Sequence, residues 1–193
     1  MTIRNVIASV FGLGLLLCGT PVPAATPGAF VATYNVSQGG QPLGVAEVRL
    51  RTAGHGTWIY SKDVKGTGGL AAMLGASVSE SSTLRWKGDV PEAVSYDYQL
   101  QAAIKNKQRR LRVDWTANRV SVDEGKGVSS YAAQPGMVER NTLSLALGLA
   151  LRDGRQEVTL PVAVRQTVEP QHFKVTGTEQ VQVPAGSFKA VRV

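Results

Sequence analysis

Two glutamates fall on the apolar side of the strands that carry them. In Val78, Glu80, Ser82, Leu84 and Trp86 the carboxylate keeps step with apolar residues, and in Phe173, Val175, Gly177, Glu179, Val181 and Val183 another does the same. Side chains two apart on a strand share a face. Both carboxylates therefore aim inward, where an ionised group is costly unless a cation and hydrogen bonds meet it. Lys62, in phase with Trp58, Tyr60 and Val64, is one cation placed to do so, and Lys65 is another. Three arrangements fit: a rim position or bulge that shifts the phase, an ion pair that fixes strand register, or a polar anchor inside a ligand cavity. Two carboxylates could also run the acid–base hydrolysis of a glycan, although nothing in the spacing sets their separation.

Other catalytic parts are sparse. His55 sits in the turn Ala53-Gly54-His55-Gly56 and His172 at a strand start, and neither has a metal-ligand spacing with Asp, Glu or the other His. There is no Gly-x-Ser-x-Gly elbow. The segment from Gly66 to Ala71 looks like a dinucleotide fingerprint but lacks the strand–helix–strand unit and the acidic residue that such a site requires. It reads instead as a sharp strand-to-helix turn whose glycines permit positive φ. No enzyme, cofactor or metal is expected.

The elements that position these residues are short strands separated by turn signals. Phe30, Ala32, Tyr34 and Val36 alternate before Gly39-Gly40. Strands follow at Leu43 to Thr52, Trp58 to Lys65 and Ala76 to Trp86. Val94, Tyr96, Tyr98 and Leu100 form one face of the next, and Leu111, Val113 and Trp115 one face of another. Val158 to Val164, Phe173 to Val183 and Phe188 to Val193 complete about nine strands. Gly69 to Leu74 suits a short helix. The leucines from Leu143 to Leu151 alternate, but leucine and alanine favour helix and Asn141 can cap it. Gln101 to Lys107 and Glu124 to Arg140 read as loops. The expected fold is mainly β, a curved antiparallel sheet or half-open barrel around a single core, with one or two short helices. Trp58, Tyr60, Trp86, Tyr96, Tyr98 and Trp115 would fill that core or, in an open sheet, line an apolar trough.

The chain has 193 residues and begins with a secretory leader pattern. Arg4 supplies the positive start, Val6 to Cys18 an apolar run too short to span a membrane, and Val22-Pro23-Ala24-Ala25 a cleavage site. Residues 1–25 are thus read as a signal peptide and 26–193 as a single exported β-rich domain, truncated at its C-terminus because its last strand runs out uncapped. The only cysteine, Cys18, lies in the leader, so the exported part has no disulfide. Leu17 before it is a poor lipobox residue, so a lipoprotein is not expected. The formal net charge is +7, and loss of Arg4 with the leader lowers it by one. This balance favours solubility and encounter with anionic surfaces. The basic run at Lys105, Lys107, Arg109, Arg110 and Arg112 lacks the interleaved aromatics of a single-strand nucleic-acid binder.

Several motifs resemble the exported bacterial proteins grouped as domain-of-unknown-function family 3108. They are Tyr34-x-Val36, Gly44-Val-Ala46, the segment Lys65 to Leu70, Glu80-Ser-Ser, Pro91 before Tyr96-x-Tyr98, Asp114-Trp115, and the long stretch from Gly177 through Pro184-Ala-Gly186 to Val193. Members of that family usually continue with a further Trp-containing hairpin. The resemblance implies an exported β-sheet protein and no particular activity. The expected function is non-catalytic binding of an amphiphilic or lipid-like ligand in the periplasm, at Trp58, Tyr60, Lys62, Lys65, Glu80, Trp86, Tyr96, Tyr98, Trp115 and Glu179. The alternatives are a closed-core envelope protein with a protein partner and, further off, a glycan hydrolase using Glu80 and Glu179.

Overall fold

The structure is a computed structural model that describes residues 26–152 and 154–193, so the expected signal peptide, residues 1–25, lies outside the described residues. Eight strands run in sequence order as one antiparallel sheet: β1 (Phe30–Gln38), β2 (Gln41–Gly54), β3 (Thr57–Gly66), β4 (Ser77–Lys87), β5 (Val90–Ala102), β6 (Lys105–Asp114), β7 (Arg119–Asp123) and β8 (Val128–Ala132). The sheet is open, with β1 and β8 as its edges. Helix α1 (Gly69–Met73) bridges β3 and β4. After β8 come β9 (Val138–Glu139), helix α2 (Leu143–Arg152), β10 (Glu157–Ala163) and β11 (Val168–Lys174). β10 pairs antiparallel with β11 and parallel with β9. β12 (Gly177–Val183) and β13 (Gly186–Arg192) form a separate two-stranded sheet.

The chain from Ala133 to Val168 covers the apolar face of the eight-stranded sheet. Leu145 of α2 packs on Val48, Leu50, Tyr60 and Leu84 from β2, β3 and β4. Met137, Ala163 and Val168 pack on Tyr96, Leu111, Val120 and Val122 from β5, β6 and β7. A third cluster joins Ala146 of α2 to Val138, Val158, Leu160 and Val162. The interior is grouped into three clusters of buried residues, and the fold is mainly β, an open antiparallel sheet with two short helices.

Three expectations need correction. Gln101–Lys107 is not a loop: β5 and β6 pair out to Ala102 and Lys105, leaving only Ala103 and Ile104 to turn. Residues 105–108 are all exposed, and a strand that extends beyond the core buries neither face, so it shows no alternation. Residues 124–140 contain β8 and β9, both too short to display a period. The run Phe173 to Val183 is two strands. Val175 N still bonds Gln156 O beside β10, whereas Thr176 N bonds Arg192 O beside β13. The partner changes between them, and β12, paired with β13, carries no buried residue, so the run is not one inward-facing strand.

The glycine-rich segment after β3 is shaped by contact. A Cβ on Gly66 would stand 2.7 Å from Ala71 Cβ, and one on Gly68 only 2.3 Å from Pro42 O. Positive φ applies to Gly69, at 53°, but to neither of these two.

Candidate functional site

Glu80 lies in β4, directly opposite Lys62 of β3. The carboxylate is 4% exposed. Lys62 Nζ meets its Oε1 at 3.0 Å and Tyr96 Oη donates to its Oε2 at 2.9 Å. Of the arrangements open to this inward glutamate, a cross-strand ion pair with a hydrogen-bonding phenol is the one present. Burial, then the charge of Glu80, holds the Tyr96 phenol protonated far above its ordinary range.

A second buried carboxylate, Glu139 of β9, is 1% exposed. Its Oε2 accepts Asn141 N at 2.8 Å, while its Oε1 accepts Thr142 N at 3.1 Å and the Thr142 hydroxyl at 2.8 Å. Ser82 also donates to it. Burial nevertheless pushes this carboxyl above the usual range against those four donors. Asn141 follows and reaches across to the sheet: Nδ2 donates to Tyr60 O at 3.1 Å and to Ser82 Oγ at 2.9 Å. Its Oδ1 is buried without a partner. Asn141 does not cap α2, because the carbonyl of Thr142 receives the first helical bond from Ala146 N. Together these groups fasten the start of α2 to β3 and β4.

Two more glutamates anchor loops. Glu92 has a fully buried side chain. It accepts Arg85 Nε at 2.6 Å and Gly136 N at 2.8 Å, with Lys87 Nζ 3.7 Å away. Burial opposes its ionisation, but the Gly136 N–H and the two cations outweigh that and hold the carboxyl below its usual range. Glu124 takes both Arg109 and Arg165.

The sequence-derived residues divide among these surroundings. Trp58, Tyr60, Lys62, Glu80, Trp86 and Tyr96 share the covered side of the sheet, with Trp58 and Trp86 edge-on at 6.3 Å between ring centroids. Tyr98 and Trp115 belong to the neighbouring cluster. Trp115 falls just past β6, donates to Ala93 O at 3.0 Å and carries Arg85 over its ring. Lys65 is exposed opposite Val45 and Ser77, three residues from Lys62 and so on the other face. Glu179 is exposed on β12, opposite Ala190, in a different sheet from Glu80. Glu179 keeps the phase of the half-buried Gly177 and Val181, but β12 and β13 bury no residue, so it meets solvent, and the two glutamates do not form a carboxylate pair. His172 shares a hydrogen bond with Thr159 at 2.8 Å, and His55 is an exposed turn residue.

Sequence reasoning missed Glu92 and Glu139, and read Asn141 only as a helix cap. Each sits in a stretch without alternation, and only a polar residue adjoining Val138 or Pro91 hinted at burial. Two open clefts merit note. One of about 380 Å³ lies between α2, β10 and the start of β5, walled by Val90, Pro91, Ala146, Ala150 and Leu160, with Arg155 beside them. The other, of about 470 Å³, is basic and is lined by the start of β6, the β7–β8 turn and Arg165. No described helix is long and apolar enough to cross a membrane.

A family model described as "Protein of unknown function (DUF3108)" matches residues 33–193. The chain belongs to that family. No curated protein and no solved structure matches it.

Proposed function

We propose that this DUF3108 member is a non-catalytic protein of the cell envelope that acts through its outer surface, its apolar interior being closed by its own chain. One observation carries the reading. The side chain of Asn141 binds Tyr60 O and Ser82 Oγ and seats the start of α2 on the sheet, over the aromatics that would otherwise line a trough. Lys62 and Tyr96 occupy both oxygens of Glu80, which supports a structural rather than a catalytic role for that carboxylate. Placement in the periplasm rests on the leader pattern of residues 1–25. Native mass spectrometry of the gently purified protein, with organic extraction, tests the closed interior. A bare protein mass is expected, and a stoichiometric amphiphile overturns the reading.

The cleft between α2 and β10 favours a second reading, an amphiphile carrier. Its volume of about 380 Å³, and its apolar walls interrupted by Arg155, Asp89 and Glu157, fit a small ligand with both an apolar and a charged part. An extracted adduct that disappears in Ala150→Trp, which fills this cleft, would establish it. An adduct that survives the substitution would exclude it.

A further inference from the structure

We infer that one end of the sheet, formed by α1, the β5–β6 turn and the β7–β8 turn, docks on an anionic phospholipid surface. The backbone N–H of Ala103 bonds Leu74 O at 2.9 Å, which ties the tip of the β5–β6 hairpin to the end of α1. Ile104 therefore shares a corner with Leu70 and Met73. These side chains are 81%, 66% and 84% exposed. Side chains this exposed touch little of their own protein, and all three sit on a turn or on a single helical turn. Protein partners that take a strand or a helix need an edge or a groove. Projecting apolar tips instead suit a deformable bilayer.

The charge around the tips is complementary to such a surface. Lys105 and Lys107 follow Ile104 directly and line one cleft with Lys126 and Arg165. Glu124, the acidic residue of that cleft, is already taken by Arg109 and Arg165. Lys105, Lys107 and Lys126 form no ion pair among the described residues. Apolar side chains framed by unpaired lysines hold a protein in the interfacial plane: the former enter the acyl boundary and the latter meet lipid phosphates. Bilayer docking does not depend on whether the interior is closed or holds an amphiphile.

Sedimentation of the purified protein with vesicles tests it. Vesicles of phosphatidylethanolamine with phosphatidylglycerol should carry the protein down, phosphatidylcholine vesicles should not, and added salt should release it. Each lysine contributes about fivefold to binding, so Lys105→Gln, Lys107→Gln and Lys126→Gln together should weaken it about a hundredfold. Met73→Ser with Ile104→Ser should weaken it at least about tenfold at constant salt. Val31→Ser, an exposed apolar residue of β1 outside this end, should change nothing. All these positions are exposed, and a melting temperature equal to the parent's confirms that each variant folds. The inference is overturned by absence of sedimentation, by equal sedimentation with phosphatidylcholine, by indifference to either set of substitutions, or by a Val31→Ser loss matching that of the tip.

Discussion

Asn141→Ala should both destabilise the fold and open its interior. The parent side chain makes two buried hydrogen bonds, to Tyr60 O and Ser82 Oγ. Each is worth about 1 kcal/mol net. Asn141 Oδ1 has no partner among the described residues, so removing it returns part of the desolvation penalty, and the lost packing of a buried side chain offsets that. The expected loss is about 2 kcal/mol, which for a chain of this size lowers Tm by about 4–8 °C. Urea unfolding should show a lower midpoint at unchanged slope. Ser82→Ala alone and in combination closes a double-mutant cycle, with a coupling of about 1 kcal/mol expected. If Asn141 seats α2 on the sheet, the variant should also bind an apolar fluorescent dye under native conditions, where the parent does not. A loss below about 0.5 kcal/mol, the size of an ordinary surface substitution, together with no dye binding, would refute the assignment of this contact as the closure of the interior.

Two carboxylates should give opposite pH signatures. Glu92 titrates below its unfolded value of 4.5. Its contribution is therefore complete above that pH and is lost as pH falls through the folded value. Glu92→Gln should cost about 2–3 kcal/mol at pH 7, less than a fully buried pair because Arg85 can reach water, and the gap from the parent should close in acid urea titrations. Glu139 titrates above 4.5 in the folded state, so the parent should lose stability as pH rises from 4.5 through the folded value, and Glu139→Gln should flatten that slope. Gly68→Ala should cost about 1–3 kcal/mol, because its Cβ would meet Pro42 O at 2.3 Å. Gly69→Ala faces open space at a φ of 53° and should cost about 1–2 kcal/mol from backbone strain alone. Thermal melts of the two variants check both.

Where one face of a strand is buried, alternation made it legible. The phase of Tyr60, Leu84, Tyr96 and Leu111 places them inward, and they are buried. Turn chemistry located Gly39-Gly40 and the bend through Pro184 to Ser187. The α2 helix was readable because leucine and alanine lack β-branching, even though their strict alternation also suited a strand. Phase failed where strands bury no residue, as at residues 105–108 and in β12. Lys62 could be matched to Glu80 because cross-strand neighbours share phase. The attachment of Asn141 to Tyr60 and Ser82 could not, since 81 and 59 residues separate them and no local period encodes so remote a bond.

The order of the strands also sets an order of events during synthesis. Every neighbour in the eight-stranded sheet is the next element in the chain, so each hairpin can form as soon as its second strand emerges, with little loop entropy to overcome. The residues that cover the sheet come only afterwards, from Ala133 to Val168. A chain threaded N-terminus first would expose Tyr60, Leu84, Tyr96 and Leu111 to solvent until that later segment arrived. During that interval the nascent sheet is an aggregation-prone surface, and a holding chaperone at the exit site would have its strongest claim on this protein then.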